Sequence, residues 1–247
     1  MYNFFANNKR QENNYYITDS DHNHIFNVLR MKIGDEFLIS DNGTSNLCRI
    51  VSFSENLTTA EIVQENFQST ELPIEINLFQ GLPKSDKLEL IIQKTVELGV
   101  FSITPTEMSR CVTKIDEKKK TSKISRWQAI SESAAKQSKR NIIPQINNIV
   151  NFKQALDIAK DFDLMLLPYE SKNGMSDTKI ALDLIKPGMK VAVFIGPEGG
   201  FDEKEILLAT ESGAKIISLG KRILRTETAA ISTVAMCMLH CELTFEG

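Results

Sequence analysis

The chain has 247 residues, of which 42% are hydrophobic, 25% charged and 7% aromatic, an ordinary composition for a soluble globular protein. A chain of this length can form one large domain or two modest ones, and its core needs no disulfide or metal to hold it together. The formal net charge of −3 excludes a global basic field as the means of attracting nucleic acid.

The cysteine content and the apolar runs predict a cytoplasmic protein that does not enter a membrane. Four cysteines are scattered without a paired framework, which is typical of a reducing compartment: Cys48, Cys111, Cys237 and Cys241. Met1–Phe5 has no basic region followed by an apolar stretch, so it does not predict a signal peptide. Apolar runs such as Leu164–Leu167 and Val191–Ile195 are too short to span a bilayer.

Residues 1–72 are predicted to form a small β-rich domain with one helix. Asp21 is expected to cap that helix, and Asp41-Asn42-Gly43 is a strong hairpin turn signal. The polar segment Glu65–Pro73 ends in proline and marks the domain boundary. The predicted strands are Tyr15–Ile17, Glu36–Ser40, Leu47–Phe53 and Leu57–Val63.

The predicted N-terminal domain is acidic. Residues 1–72 hold five Lys or Arg and ten Asp or Glu, which gives a net charge of −5. A domain with this charge cannot attract RNA by its field alone, so RNA binding would require a local basic patch or recognition of shape.

Residues 73–247 alternate between predicted strands and helices, a pattern typical of an α/β layer with a mainly parallel sheet. Capping boxes are predicted at Asp86 with Glu89 and at Asp202 with Glu205. The predicted strands are Ile74–Phe79, Val100–Ile103, Asp163–Leu167, Val191–Ile195 and Ala214–Leu219. The predicted helices run from Asp86 to Gly99, from about Glu117 to Arg140, from Asp202 to Gly213 and from Thr226 to Leu243.

Three segments end predicted strands, at the edge where open α/β sheets bind ligands: Leu166–Glu170, Ile195–Gly200 and Leu219–Thr228. Gly196, Gly199 and Gly200 leave room for a ligand to approach the backbone. The glycines do not form G-x-G-x-x-G, and neighbouring acidic residues disfavour a phosphate. A cofactor that lacks phosphate and carries positive charge, such as S-adenosylmethionine, therefore fits this loop. The alternative is a plain glycine turn that leads into a capped helix.

The segment Leu219–Thr228 combines cations with hydroxyl groups. Lys221, Arg222 and Arg225 precede Thr226 and Thr228, a mixture that could position a phosphate while hydroxyl or backbone groups hold a nucleoside. The alternative is that Arg225 pairs with Glu198 or Glu227 and only braces the loop.

Taken together, these segments resemble the RsmE family of ribosomal RNA uridine-N3 methyltransferases, which belongs to the SPOUT class. The similarity spans nearly the whole chain in order, through His24–Lys32, Gln80–Lys84, Gln93–Val100, Ser109–Cys111, Gln137–Arg140, Ile195–Phe201 and Leu219–Ala229. One departure is Lys136-Gln137-Ser138-Lys139-Arg140, where the family commonly has acid-Gln-Ser-Gly-Arg.

The resemblance implies a PUA-like RNA-binding β-barrel over residues 1–72 and a SPOUT methyltransferase domain over residues 73–247. The second domain would have a mainly parallel sheet and a deep trefoil knot. The resemblance also implies S-adenosyl-L-methionine as cofactor and a homodimer as the assembly. The implied substrate is a uridine in the decoding region of 16S rRNA, within the assembled small ribosomal subunit. A preformed ribosomal surface would supply the shape recognition that the acidic domain requires.

Site residues follow from the resemblance and from the loops. Arg225 is expected to stabilise the uridine anion or fix its phosphate, and Glu198 and Glu227 to orient loops or take up the proton. The residues expected to hold the cofactor are Leu167, Pro168, Ile195, Gly196, Pro197, Glu198, Gly200, Leu219, Gly220, Ile223, Leu224, Thr226 and Ala229. The residues expected to contact RNA are Arg10, Arg30, Lys84, Arg110, Arg140 and Arg222.

Other functions remain open from the sequence. A SPOUT methyltransferase that acts on tRNA would carry similar loops, and a noncatalytic RNA-binding or ribosome-assembly factor could keep the fold. Cys237, His240 and Cys241 have the helical spacing of metal ligands. The apolar residues around them, and the lack of a fourth ligand, predict core packing and no metal.

Overall fold

The computed structural model describes residues 1–5, 10–41, 43–169 and 174–245. Asn42 of the predicted turn and Glu170, at the end of the strand-end segment Pro168–Glu170, lie outside the described residues. The chain forms two compact units. Unit 1 comprises Met1–Glu71 with Ala135–Ile143, and unit 2 comprises Leu72–Ala134 with Pro144–Gly247. The sequence had placed Ala135–Ile143 wholly in the second domain.

Unit 1 is built on a six-stranded sheet in the order β1-β4-β5-β6-β3-β2. All its pairings are antiparallel except β1 with β4. The four predicted strands are confirmed as β3 to β6, whereas the two- and three-residue strands were too short to predict. The strands are β1 (Asn3–Phe5), β2 (Arg10–Gln11), β3 (Asn14–Ile17), β4 (Glu36–Asp41), β5 (Thr44–Ser54) and β6 (Leu57–Gln64).

The core of unit 1 gathers the inward side chains of these strands. Tyr15, Phe37 and Ile50 are fully buried. The Tyr15 hydroxyl donates to Asp41 Oδ2 at 3.1 Å and accepts from Asn46 Nδ2 at 2.8 Å. Burial, followed by the Asp41 charge, raises the pKa of Tyr15 to about 12, so this phenol stays neutral in the core.

The helix of unit 1 begins earlier than predicted. Helix α1 covers Asp19–Asn23 and continues as a π-helical turn over His24–Val28. Thr18 occupies the N-cap position, and Asp21 lies in the first turn. The prediction that Asp21 caps this helix was therefore wrong.

Arg140 is the buried cation of unit 1. It was expected to contact RNA, but it is 3% exposed, and its Nε lies 3.1 Å from both carboxylate oxygens of Glu71. Glu71 also accepts hydrogen bonds from the amide N–H groups of Asn141 at 2.7 Å and Ile142 at 3.2 Å. The guanidinium is committed to this carboxylate, so Arg140 is not an RNA contact in this structure. The pair fastens residues 135–143 to unit 1.

The two lysines that depart from the family pattern have structural roles of their own. Lys139 adopts a left-handed φ of 59° where the family commonly has glycine, so its side chain strains the backbone there. The Lys136 ammonium lies 3.5 Å from Asp21 Oδ1. One added positive charge is therefore already paired within the protein.

Unit 2 is an α/β layer around a seven-stranded sheet in which every pairing is parallel. The strand order is β10-β8-β7-β12-β11-β13, and β9 also pairs with β8. The fold class predicted from the alternating pattern is confirmed. The strands are β7 (Glu75–Gly81), β8 (Val100–Glu107), β9 (Gln145–Ile146), β10 (Val150–Asn151), β11 (Leu164–Pro168), β12 (Lys190–Ile195) and β13 (Lys215–Ile217).

The described helices of unit 2 include two that were not predicted, α4 and α5. Asn151 and Gln154 form a capping box at the start of α4, a signal that the sequence offered and that was missed. The helices are α2 (Lys87–Glu97), α3 (Glu117–Gln137, whose last residues belong to unit 1), α4 (Phe152–Ala159), α5 (Met175–Leu182), α6 (Glu203–Glu211) and α7 (Thr226–Phe245).

One predicted capping box forms and the other does not. The side chain of Asp202 accepts from the amide of Lys204 at 3.1 Å, and Glu205 accepts from the amide of Asp202 at 2.9 Å. Asp86 occupies the N-cap position of α2 without any side-chain cap. Glu89 instead forms an ion pair with Arg126 at 2.9 Å, because a long-range cation competes with the local backbone donor.

Helix α7 is the one helix within the described residues whose length and composition would suffice to cross a membrane. The apolar runs considered in the sequence did not reveal it, because Thr, Ser and His residues interrupt its apolar positions. A core helix of a soluble protein meets the same criterion, and α7 packs on α2, β7 and β12 of the same unit.

Removal of the Glu71 carboxylate should destabilise unit 1. We expect Glu71→Ala to lower the free energy of unfolding by about 3 kcal/mol, because it leaves the Arg140 charge buried without a partner. The matched control is Glu65→Ala, which breaks the exposed pair with Arg10 and should have little effect. Urea denaturation measures both, and equal losses would contradict a special role for the buried pair.

Candidate functional site

The carboxyl ends of β7, β11, β12 and β13 meet at one edge of the parallel sheet. Gly196–Gly200 follows β12, the segment from Ser218 to Arg225 follows β13, and Tyr169 follows β11. The Tyr169 amide donates to the Ile217 carbonyl at 2.9 Å, which holds the last two strand ends together. The structure thus brings together the loops that the sequence had singled out, at the edge where ligands bind in such sheets.

The glycine loop after β12 is a close-packed backbone turn. The Gly200 amide donates to the Pro197 carbonyl at 2.9 Å, and Gly200 has a φ of 68°. A Cβ on Gly196 would lie 3.2 Å from the Gly200 carbonyl carbon. A Cβ on Gly81, where β7 ends, would lie 2.7 Å from the Pro197 nitrogen. At Gly81 any side chain would push the loop away from the strand end, and at Gly196 a Cβ would require the facing Gly200 to shift by a few tenths of an ångström.

Thr226 links the two main loops. Its hydroxyl donates to the Gly196 carbonyl at 2.6 Å and accepts from Gln80 Nε2 at 3.0 Å. Gln80 is fully buried, and its Nε2 also donates to the Gly81 carbonyl at 2.9 Å. Gln80 Oε1 is buried, and no described residue donates a hydrogen bond to it. This network ties β7, the Gly196 loop and the first turn of α7 together, and Gln80 was not among the predicted site residues.

The loop after β13 is braced from the side by α5. The Thr178 hydroxyl donates to the Ser218 carbonyl at 2.7 Å, and the Ser218 amide donates back to Thr178 Oγ1 at 2.9 Å. The Gly220 amide donates to Ser218 Oγ at 3.2 Å. Gly220 has a φ of 97°, and a Cβ there would meet only Arg222 Nη2 at 4.0 Å. The loop therefore has a fixed base at Ser218 and open space at Gly220.

Glu198 and Glu227 share one cation, Lys87, the first residue of α2. The Lys87 ammonium lies 3.0 Å from Glu198 Oε1 and 3.4 Å from Glu227 Oε2. The amide of Lys84 also donates to Glu198 Oε1, at 3.0 Å. Arg225 forms no ion pair with Glu198 or Glu227 in the part of the chain that the structure describes. Sequence reasoning missed Lys87 because it lies 111 positions before Glu198 and in no motif of its own.

Glu198 stays ionised at this position. Burial acts to raise its pKa, but the hydrogen bond from the Lys84 amide and the Lys87 ammonium outweigh burial, so the pKa lies below its ordinary value. The hydrogen bond to Glu198 in turn raises the pKa of Lys87. A negative charge therefore persists beside the glycine loop at neutral pH.

Comparison of the sequence with known proteins identifies the family. A model of the RNA methyltransferase domain matches residues 70–238, and a model of the RNA methyltransferase PUA domain matches residues 17–63. Ribosomal RNA small subunit methyltransferase E of Bacillus subtilis is 37% identical over 92% of this chain and 90% of its own length. The chain belongs to the ribosomal RNA small subunit methyltransferase E family.

Two further relatives support this membership. The methyltransferase E of Mesomycoplasma hyopneumoniae is 37% identical over 96% of this chain and 99% of its own. The crystal structure of a methyltransferase E from Neisseria gonorrhoeae, bound to S-adenosylmethionine, has a TM-score of 0.80 and 30% identity, with 97% of each chain covered. The predicted identity as an RNA methyltransferase with a PUA-like N-terminal domain is thereby confirmed.

The remaining residues expected to hold the cofactor line the same strand ends. Leu167 and Ile195 are buried as the last apolar residues of their strands, and Pro197 is buried in the glycine loop. Ile223 is 94% exposed, so only its backbone can face the loops. Pro168, Leu219, Leu224 and Ala229 are half-buried at the strand ends, along the loop after β13 and in the first turn of α7.

The residues of unit 2 that were predicted to contact RNA differ in whether other protein groups bind their side chains. Arg110 Nη1 donates to the Gly199 carbonyl at 3.2 Å, and its Nη2 lies 3.7 Å from Asp202. Lys84, Arg222 and Arg225 are exposed, and none of the three forms an ion pair with any residue that the structure describes. Lys84, Arg222 and Arg225 therefore present their charges to solvent at the loops.

The predicted contacts of unit 1 also differ. Arg10 is paired with Glu65 and donates to the Glu12 carbonyl at 3.0 Å. Arg30 is exposed, with a φ of 52° that turns the chain sharply after the π-helical turn.

The cysteines of α7 belong to the core. Cys237 and Cys241 are fully buried, and burial raises the pKa of Cys237 to about 12. Within the described residues, no group of three or more His, Cys, Asp or Glu side chains is placed to hold a metal ion.

Loss of the Thr226 hydroxyl should weaken the link between the two loops. We expect Thr226→Val to lower the free energy of unfolding by about 2 kcal/mol, because buried donor and acceptor groups lose their partner. The control is Thr233→Val on the same helix, which removes only a hydroxyl bond to the Ala229 carbonyl and should cost less. Chemical denaturation compares the two variants, and an equal loss would argue against the link.

Proposed function

We propose that the protein transfers the methyl group of S-adenosyl-L-methionine to N3 of a specific uridine in the 16S rRNA of the small ribosomal subunit. The proposed uridine is U1498, in the numbering of the RNA. The observation that carries the proposal is the pair of backbone loops after β12 and β13, joined by the hydrogen bond from Thr226 to Gly196.

The residues at the loops fit the cofactor. Within the described residues Gln80 Oε1 is an acceptor without a donor, and Gly200 and Gly220 leave open space where a side chain would otherwise stand. The Glu198 carboxylate suits a cationic ligand and disfavours a phosphate. Backbone groups of Ile195, Gly196, Leu219, Gly220 and Leu224 would hold the cofactor, with Leu167, Pro168, Pro197, Gly200, Ile223, Thr226 and Ala229 shaping its site. When bound, it supplies an electrophilic methyl group.

The charged residues at the loops have the chemistry that methylation of an imide nitrogen requires. N3 of uridine must lose its proton, which leaves negative charge on the base. Arg225 is exposed and forms no ion pair with any described residue, so its guanidinium can stabilise that charge or bind the nucleotide's phosphate. Glu198 and Glu227 orient the two loops and are the carboxylates available to take up the proton. Fixed placement of the reactants supplies most of the acceleration.

RNA binding is proposed to involve both domains. Residues 1–72 form the RNA-binding domain, with Arg10 and Arg30 as its phosphate contacts, and residues 73–247 contribute Lys84, Arg110 and Arg222. Because residues 1–72 carry a net charge of −5, bulk attraction cannot hold the RNA. The assembled small subunit, which presents a preformed surface, is therefore the proposed substrate, in the cytoplasm.

The proposed assembly is a homodimer of subunits whose C-terminal domains carry the trefoil knot of the SPOUT class. Leu239 and Leu243 lie one turn apart on α7 and are 50% and 83% exposed, and Ile223 is 94% exposed. The exposed pair Leu239 and Leu243 on one side of the helix favours burial against a second copy. Sedimentation equilibrium of the purified protein should give a dimer mass, and a monomer mass at micromolar concentration would remove this part of the proposal.

Nucleoside mass spectrometry of ribosomal RNA tests the function directly. Cells that lack the protein should lose one N3-methyluridine from 16S rRNA, and the gene should restore it. An Arg225→Met gene should fail to restore it. Methylation of tRNA instead would indicate a different substrate, and unchanged rRNA from a protein that binds small subunits would indicate a noncatalytic assembly factor.

The glycine loop gives a test of the cofactor site. Gly200→Ala and Gly188→Ala place a Cβ at φ values of 68° and 84°, with no atom within 4 Å in either case. Both should lower the free energy of unfolding by about 1 kcal/mol. Only Gly200→Ala should weaken binding of S-adenosylmethionine, because Gly188 lies outside the loops. Titration calorimetry measures the affinities, and native affinity in Gly200→Ala would contradict the placement of the site.

A further inference from the structure

Lys87 lies at the only point in the described residues where both candidate carboxylates meet one cation. Its ammonium is 3.0 Å from Glu198 Oε1, in the loop after β12, and 3.4 Å from Glu227 Oε2, in the first turn of α7. The three side chains are 30%, 27% and 14% exposed, so the cluster is partly shielded from solvent. Lys87 therefore contacts both segments that carry the candidate carboxylates, which suggests a function in positioning them.

We propose that Lys87 is a positioning residue of the methyl transfer, whose ammonium holds Glu198 and Glu227 in one arrangement beside the cofactor loops. This inference rests on the proposed function. Lys87 does not itself need to touch either substrate.

The backbone around Lys87 is well fixed. The next residue, Leu88, is 3% exposed, and Ile91 and Ile92 are fully buried, so the first turns of α2 are anchored in the core. Helix α2 also packs along α7, which carries Glu227. Lys87 therefore presents its charge from a rigid element, as a residue that positions others must.

The two carboxylates are held unequally. Glu198 Oε1 accepts from the Lys84 amide as well as from Lys87. Glu227 Oε2 is buried and has no hydrogen-bond partner among the residues that the structure describes, so the Lys87 charge at 3.4 Å is what compensates it. Without Lys87, Glu227 would be a buried carboxylate oxygen with no compensation, and its side chain would move toward solvent.

Lys87 connects the same two segments that Thr226 connects. The Thr226 hydroxyl joins the start of α7 to the Gly196 carbonyl, and the Lys87 ammonium joins Glu227, also at the start of α7, to Glu198 in the Gly196 loop. A partly exposed ion pair contributes little to folding. A small displacement of a catalytic loop, by contrast, can reduce the rate by about 100-fold. Because the Glu227 side chain can move toward solvent when Lys87 is absent, loss of Lys87 should lower the rate of the reaction far more than it lowers stability.

Lys87→Met tests the inference, with Lys94→Met as the matched control. Lys94 lies on the same helix and forms an ion pair at 2.9 Å with Glu97, away from both loops. We expect Lys87→Met to lower kcat/KM for methylation of small subunits by roughly 10- to 100-fold. Lys94→Met should retain the activity of the unchanged protein, and thermal unfolding should show both variants folded.

The pH profile distinguishes positioning from a purely structural role. Loss of the ammonium removes a charge that lowers the pKa of Glu198, so the acid limb of kcat/KM should move to higher pH in Lys87→Met. Lys87→Arg keeps the positive charge and should restore both the limb and most of the rate. This variant also keeps the inference testable if the methionine variant fails to fold.

The outcomes separate this inference from the proposed function. If the unchanged protein binds no S-adenosylmethionine and methylates no rRNA, the proposed function fails. If the unchanged protein is active and Lys87→Met matches it in rate and pH profile, the inference about Lys87 is overturned. A Lys87→Arg variant as impaired as a folded Lys87→Met, with the same shifted limb, would also overturn it, because the retained charge would then have no effect.

Discussion

The hydrogen bond from the Thr226 hydroxyl to the Gly196 carbonyl is the interaction on which the site depends. It joins loops that follow different strands and that lie 30 positions apart in the chain. Gln80 donates to the same hydroxyl from a third strand, so one oxygen connects three strand ends. Buried bonds of this kind are costly to leave unmade, which is why a single hydroxyl can fix the relative positions of flexible backbone turns.

Around this hydrogen bond, the neutral backbone groups of the site and its charged side chains occupy different places. The glycine turns present amide and carbonyl groups at the sheet edge, whereas Lys87, Glu198 and Glu227 form a shielded cluster at the rim. Arg225 lies outside that cluster with no ion pair among the described residues. Lys87 and its two carboxylates sum to a net charge of −1, whereas the exposed Arg222 and Arg225 of the loop after β13 carry +2. Positive charge therefore remains available to an anionic substrate, although the chain as a whole is acidic.

Much of the fold could be read from periodicity. The parallel strands of unit 2 are short apolar runs, and the Asp202–Glu205 capping box was recognisable from four residues. The Asp86–Glu89 box failed because Arg126, 37 positions away from Glu89, competes for its carboxylate. Arg140 was assigned to RNA on its charge alone, since nothing local reveals that Glu71 neutralises it 69 positions earlier. Local signals predict local structure, and long-range pairing overrides them.

The sequence by itself determined the longer strands and most of the helices, the α/β class of the second unit, the loops that carry the site and, through its motifs, the methyltransferase family. These depend on spacing and residue type, which are local properties. Only the tertiary structure decided which charged side chains form ion pairs and which do not. Lys87 pairs with two glutamates and Arg140 pairs with Glu71, whereas Arg225 pairs with no residue that the structure describes. Ion pairing depends on distances of a few ångströms between residues far apart in the chain, and folding alone sets those distances.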